Sequence, residues 1–422
     1  MSERNLIRWM ILIILSAFLL GAFLLENMGI QYVSEGGSPI LKIHVYSYLT
    51  MGIFALLALR VGLFNLIKPW NELKKAWWLA MVSMLAVILY GFMRFGTSGL
   101  AYLIDTIFIP LVLVPIVYGL SDTAKNRLLA LLGYLLFLNA CIAIIELILA
   151  QSIVAVEIGS FSTFRSTAFL AHPLNNALIT ASLTPIVMRY TRIPVALYVS
   201  VIVLALFAFG GRAALGIFLL GNFLMLLPKL RDFLGQGVRY HKLKFAYLQA
   251  LVYFSVIAVI LTIVLSPIGE RILSKLYIDK SAEARFDVFI LLEQLSPSEW
   301  VFGASHGLLS DIAFYIGINV VENYLIGWVL NFGLLGCIGL LLATYTVPVR
   351  LICRQEFPAQ VALLSFMLIS LTNNALTVKT PALVLFVVAL VCRYCSGQLN
   401  LATALESAQN RRSDSFGLNP AL

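Results

Sequence analysis

The stretch Leu128-Leu-Ala-Leu-Leu-Gly-Tyr-Leu-Leu-Phe-Leu-Asn-Ala-Cys-Ile-Ala-Ile-Ile-Glu-Leu-Ile-Leu-Ala150 carries one charge, Glu146, in a run long enough to cross the hydrocarbon core of a bilayer as a single helix. Similar runs recur from end to end. They cover residues 6–25, 43–67, 77–93, 100–120, 128–150, 173–188, 194–209, 213–227, 245–266, 323–346, 361–376 and 381–394. Of the 422 residues, 61% are hydrophobic and 12% charged, where a soluble domain carries about 25% charged residues. A soluble enzyme is thereby excluded, and no stretch between the runs is long enough for a separate globular catalytic domain. The expected fold is an all-α polytopic membrane protein of about twelve transmembrane helices. One domain is expected over residues 1–396, followed by a polar segment, 397–422, that reads as a disordered cytoplasmic tail.

Charge sets the expected orientation. Arg4 and Arg8 precede the first run and no small-residue cleavage site follows Leu25, so that run reads as a retained helix with a cytoplasmic amino terminus. Threading from there puts both termini in the cytoplasm. It leaves outside only Lys42, Arg94, Arg165, Arg212, Arg271, Lys275, Lys280, Arg285 and Lys379 of the 29 Lys and Arg residues. The net charge of +9 thus marks short cytoplasmic loops rather than a nucleic-acid partner. Residues 26–42, 151–172 and one long loop, 267–322, face outward, and that is where chemistry is expected. The five cysteines fall in the apolar runs or at their inner ends, so no disulfide framework is expected. Cys392 and Cys395 form a C-x-x-C that reads first as packing and only second as a redox or metal pair.

Arginines in apolar outer settings are the sharpest chemical signal. Arg165 lies in Phe161-Ser-Thr-Phe-Arg-Ser-Thr, Arg212 in Phe209-Gly-Gly-Arg-Ala-Ala-Leu-Gly, and Arg285 in Ser281-Ala-Glu-Ala-Arg-Phe-Asp. A guanidinium binds phosphate oxygens in pairs and does so better than an ammonium, so three on one face suit a diphosphate. Each also has a plainer reading, as an arginine reaching for the interface or paired with Glu157, Glu283 or Asp287. His172, before the helix-starting Pro173, reads as a polar anchor or a proton acceptor. Glu322 opens the run 323–346, where a carboxylate serves as a helix cap or as a general base. His306 is a candidate substrate contact in the turn-rich stretch 295–307, which follows an expected surface helix over 282–295. Asp105 and Glu146 lie within runs, where a carboxylate is either functional or paired, here with Arg94 or Arg60. There is no Asp-x-Asp, no His/Cys cluster with metal spacing and no phosphate loop, so neither metal nor cofactor is expected.

The ordered set Arg165-Ser-Thr-Ala-Phe-Leu-Ala-His-Pro-Leu-Asn, Gly211-Arg-Ala-Ala-Leu, Ala284-Arg-Phe-Asp with Trp300-Val-Phe-Gly, and Glu322-Asn-Tyr-Leu with Asn331-Phe-Gly-Leu-Leu-Gly resembles the O-antigen ligase and polymerase superfamily. The resemblance spans residues 162–336. It implies a GT-C-like membrane glycosyltransferase that uses undecaprenyl-diphosphate-linked sugars at the periplasmic face of the bacterial inner membrane, without metal. Arg165, Arg212 and Arg285 would hold the diphosphate, Glu322 or His172 would take the proton, and His306, Asn323 and Tyr324 would contact substrate. Ligases of this family commonly carry a histidine where Glu322 stands, which favours a Wzy-type O-antigen or exopolysaccharide polymerase over a ligase acting on lipid A-core. A transporter or flippase of lipid-linked sugar is the alternative from another class; transporters set polar sites near the midplane, whereas these candidates gather at the outer face. A chain-length regulator is a further partner implied. For the topology, cysteines introduced at Ser160 and Ser298 should react with an impermeant thiol reagent added to the outer face, and protection of both would invert the assignment.

Overall fold

In lipid, backbone N–H and C=O groups must pair within the protein, so apolar runs become helices; every regular element among the described residues is helical. The computed structural model describes residues 2–33, 38–70, 72–97, 99–154, 164–170, 172–236, 253, 291–311, 321–353 and 355–395. In chain order the helices are α1 (Glu3–Leu19), α2 (Ala22–Asn27), α3 (Val45–Val61), α4 (Leu63–Ile67), α5 (Glu72–Phe95), α6 (Leu100–Tyr102), α7 (Ile109–Tyr118), α8 (Asp122–Leu149), α9 (Pro173–Val187) and α10 (Val195–Ala208). They continue with α11 (Arg212–Gln236), α12 (Pro297–Phe302), α13 (His306–Asp311), α14 (Tyr324–Ile352), α15 (Phe357–Ser370) and α16 (Ala382–Tyr394). A π-helical stretch, Leu103–Phe108, joins α6 to α7.

Among the described residues, four helical stretches are long and apolar enough to cross a membrane: Leu73–Phe95, Leu100–Tyr118, Asp122–Leu149 and Tyr324–Ile352. The chain is a helical membrane protein. Five shorter apolar helices stand among the same described residues, α3, α10, α15, α16 and the Arg212–Pro228 part of α11. The chain divides into two compact units, Met1–Gly221 with Ser296–Leu422, and Asn222–Leu295. Of the second, the described residues are the end of α11, Tyr253 and residues 291–295.

Several expected runs are broken differently from their sequence pattern. Run 6–25 is two helices, because α1 ends at Leu19 and the chain restarts at Ala22. Run 43–67 stops at Gly62, whose φ of 84° only glycine adopts without strain, before α4 continues. The stretch 295–307, expected as turns, contains α12 and the start of α13. Ser296 accepts from Glu299 N while Glu299 returns a bond to Ser296 N, a capping box that nucleates α12. Run 245–266 apart from Tyr253, the tail 397–422, and the expected helix 282–295 up to residue 290 lie outside the described residues.

Helix α16 is the centre. From Ala382 to Cys392 no residue is more than 5% exposed, and α7, α8, α9 and α14 pack around it. A helix apolar on every side can be buried on every side. The longest pairing is α14 along α5, drawn close by glycine: a Cβ on Gly339 would stand 2.7 Å from Val87 Cγ2. Arg94 near the end of α5 donates to Phe302 O and Ala304 O, and so ties the α12 turn to that pair. Gly333, inside α14, has φ of 67° and lies directly against the backbone carbonyl of Val301. Gly333→Ala therefore adds both a strained backbone and a clash with fixed backbone, and should cost about 2–3 kcal/mol. Gly339→Ala meets only a movable valine methyl and should cost less; equal thermal midpoints for the two variants in detergent would contradict this account.

Candidate functional site

Glu146 builds the site. Its side chain is fully buried near the end of α8. Oε2 accepts from Thr167 N and Ala168 N at 2.9 Å each and from the Ser166 hydroxyl, while Oε1 accepts from Ile153 N at 2.8 Å. Neither expected partner, Arg94 or Arg60, is what Glu146 holds here; it satisfies the backbone of a non-helical segment. Asn139 and Asn176 extend the clasp: Asn139 Nδ2 donates to Asn176 Oδ1 at 2.9 Å, Phe169 N donates to Asn139 Oδ1 at 3.0 Å, and Asn176 Nδ2 donates to Thr167 O at 2.6 Å. Ser166 N reaches Ala208 O at 3.1 Å. Ala168, with φ of 41°, sits in a conformation alanine avoids and keeps it under these constraints.

This strap presents Arg165 and His172. The Arg165 side chain lies on the glycine turn between α10 and α11, where a Cβ on Gly210 would stand 3.3 Å from Arg165 Cδ and Nε. Gly210 has φ of 69°, Arg212 N donates to its carbonyl at 3.2 Å, and Arg212 is exposed at the head of α11. The Arg165 side chain thus lies against the glycine turn that Arg212 follows. His172 stands just before α9, and its Nδ1 is buried without a hydrogen-bond partner among the described residues. Burial, and then the neighbouring Arg165 charge, push its imidazole down to about 4. It is neutral at pH 7 and a weak proton acceptor.

A cavity of about 1020 Å³ opens beside His172 and Asn175. Its wall takes in the α1–α2 break, the segment before α3, the π-helical stretch and residues 374–381. Lys42 and Lys379 line it, as do Tyr32 and Tyr102. Behind that wall Asp105 accepts from Tyr32 Oη at 2.8 Å, from His44 N at 3.1 Å and from the Ser47 hydroxyl. Lys379, which donates to Tyr32 O, supplies the positive charge nearby, in the place expected of Arg94 or Arg60.

The remaining candidates separate. Glu322 does not cap α14: Asn323 does, its Oδ1 accepting from Leu325 N at 3.0 Å and Ile326 N at 3.4 Å. The shorter Asx side chain reaches the first-turn N–H groups from the cap position itself, so Glu322 stands one residue outside the helix. Tyr324 is buried and its hydroxyl accepts from Tyr345 Oη at 3.0 Å. The head of α14 nonetheless adjoins the cavity, because a Cβ on Gly327 would stand 3.1 Å from Thr377 Cγ2 in the cavity wall. His306 begins α13. Arg285 lies outside the described residues. Lys379 and Lys42 were visible in the sequence only as outer charges. The available signal for Lys379 was its setting, Thr377-Val-Lys-Thr-Pro381, a lone cation between two apolar helices as Arg212 is.

No protein-family model matches the chain, and no curated protein matches it.

The histidine is open to direct measurement. Because folding lowers the His172 pKa below its ordinary value of about 6.5, the stability contributed by the neutral imidazole is complete above pH 6.5. It is lost as pH falls toward about 4. In histidine-labelled protein the His172 resonance should titrate near 4 and move upward in Arg165→Gln; titration at an ordinary value in the unsubstituted protein would show that the strap does not bury it.

Proposed function

We propose that the chain is a metal-independent glycosyltransferase that joins undecaprenyl-diphosphate-linked repeat units at the periplasmic face of the inner membrane, an O-antigen or exopolysaccharide polymerase. The reading rests above all on the strap that Glu146 and Asn176 hold in place. It sets Arg165 on the Gly210–Arg212 turn with His172 beside it. An arginine laid against the glycine turn and a second at the head of the helix that follows it suit a diphosphate whose lipid tail stays in the bilayer. Arg285 is assigned the same role from its sequence setting alone.

In the proposed reaction an acceptor sugar hydroxyl attacks the donor's anomeric carbon. The bond to the diphosphate oxygen breaks with its electron pair, configuration inverts, and undecaprenyl diphosphate leaves. The arginines offset the charge that grows on the departing oxygens. Glu322 takes the hydroxyl proton, favoured over His172 because the imidazole is depressed to about 4. Asn323, and not Glu322, caps α14. A histidine at that position would have favoured the ligase, and the carboxylate favours the polymerase. A chain-length regulator would act on the same outer face.

Arg212→Lys and Arg285→Lys should each lower polymer formation from purified lipid-linked repeat unit by about 100-fold, roughly 3 kcal/mol of lost transition-state stabilisation, with normal folding. Glu322→Gln should fall as far and His172→Ala less. Near-normal activity in both arginine variants would end the diphosphate reading, and near-normal activity in Glu322→Gln would move the base elsewhere.

A further inference from the structure

The cavity beside His172 is not used by the arginine turn, and its wall has a distinct character. We propose that it is a saccharide site selective for an acidic sugar, whose carboxylate lies at Lys379 and Lys42 and whose hydroxyls meet Asn175, Tyr102 and His172. The proposal rests on the glycosyltransferase reading and names the class of acceptor that such an enzyme would take.

Charge is the first support. Among the described residues the lining includes two lysines and no Asp or Glu. Two carboxylates among the described residues act on Lys379: Glu26, which accepts from Val33 N, and Asp105, which is fully enclosed with both oxygens already accepting bonds from Tyr32, His44 or Ser47. Asp105 holds the wall together without facing the space. Lys379 is itself positioned: its Nζ donates to Tyr32 O and stands 4.4 Å from the centre of the Tyr32 ring. An ammonium has three donors, so one fixed bond leaves the group oriented and still able to bind a carboxylate.

Unpaired polar atoms are the second support, and they are independent of the lysines. Asn175 is only 6% exposed, yet its Oδ1 has no hydrogen-bond partner among the described residues. The same holds for His172 Nδ1 and Tyr102 Oη, and all three residues line this cavity. Buried polar groups are ordinarily paired. Sugar hydroxyls, which both donate and accept, would pair an amide oxygen, an imidazole nitrogen and a phenol together. Between these groups Phe23, Leu100 and Ile104 supply the apolar surface that the C–H faces of a pyranose need. The volume of about 1020 Å³ is at the upper end of small-ligand sites and takes more than one sugar ring. Thr377 in the wall touches Gly327 of α14, so a saccharide held here lies against the helix that Glu322 precedes.

The experiment uses the full chain in lipid nanodiscs and reads binding, not transfer. The probes are a glucuronate-containing tetrasaccharide, the same tetrasaccharide with its carboxyl reduced to an alcohol, and inorganic pyrophosphate as competitor. The acidic saccharide should bind about tenfold tighter than the neutral one, and Lys379→Gln or Lys42→Gln should each erase most of that difference. Tyr102→Phe should weaken both saccharides alike and raise the thermal midpoint of the empty protein, because it removes a buried hydroxyl that has no partner. Equal affinity for the two saccharides overturns the proposal. Displacement of the acidic saccharide by pyrophosphate, with the same dependence on Lys379, also overturns it and assigns the lysines to phosphate. Selective binding in a protein that makes no polymer would remove the enzyme reading and leave the site standing, whereas active polymerase without selectivity would remove the site alone.

Discussion

A carboxylate buried among helices has to be surrounded by donors, and Glu146 is surrounded by the donors of a segment that could not otherwise be there. Residues 164–170 and 172 are not helical, and non-helical backbone in a membrane protein is tolerated only where its N–H groups find partners inside the protein. Glu146 supplies those partners to Thr167, Ala168 and Ile153 at once. Each N–H left unsatisfied would cost about 1–3 kcal/mol, so the strap and the carboxylate stand or fall together. Arg165, His172 and the approach to the Gly210–Arg212 turn all depend on it. The burial of one charge is here the means by which another, the Arg165 guanidinium, is aimed.

The cavity follows from a second consequence of the same constraint. Helices that run unbroken through a bundle leave no room between them, and this bundle has α16 filling its centre. Space opens where helices are interrupted: at Leu20 and Gly21 between α1 and α2, along the π-helical Leu103–Phe108, and in residues 374–381 between α15 and α16. Each interruption frees backbone groups that need side-chain partners. Thr106 Oγ1 donates to Val378 O and accepts from Thr380 N, and His44 Nε2 bonds Leu20 O at 2.7 Å. The polar residues that permit the breaks are therefore also the residues that make the wall polar.

Two kinds of cation serve two kinds of anion in this reading. The proposed phosphate ligands are planar arginines, one against the glycine turn and one at the head of the helix after it, while the lysines of the cavity wall are point charges suited to one carboxylate. The division needs no residue outside ordinary membrane-protein chemistry. It does need the two sites to adjoin, and His172 provides that, with Arg165 on one side and the cavity on the other.

Composition and hydropathy alone determined that this is a helical membrane protein, because lipid leaves the backbone no alternative to helix, whereas the helix ends were not legible: α11 runs on to Gln236 and α14 to Ile352, past the ends of runs 213–227 and 323–346. The tight turn at Gly210 was legible for the same kind of local reason, two glycines and a charge between apolar runs. What was not legible depended on partners far apart in the chain. Nothing near Glu146 in sequence says that it clasps Thr167, twenty-one residues on. Lys379 looked like one outer charge among others until Tyr32, more than three hundred residues away, was placed beneath it. Local pattern decides helix or not helix through the backbone; only tertiary structure decides which polar groups share a space, because burial and hydrogen-bond geometry belong to pairs of residues rather than to any one of them.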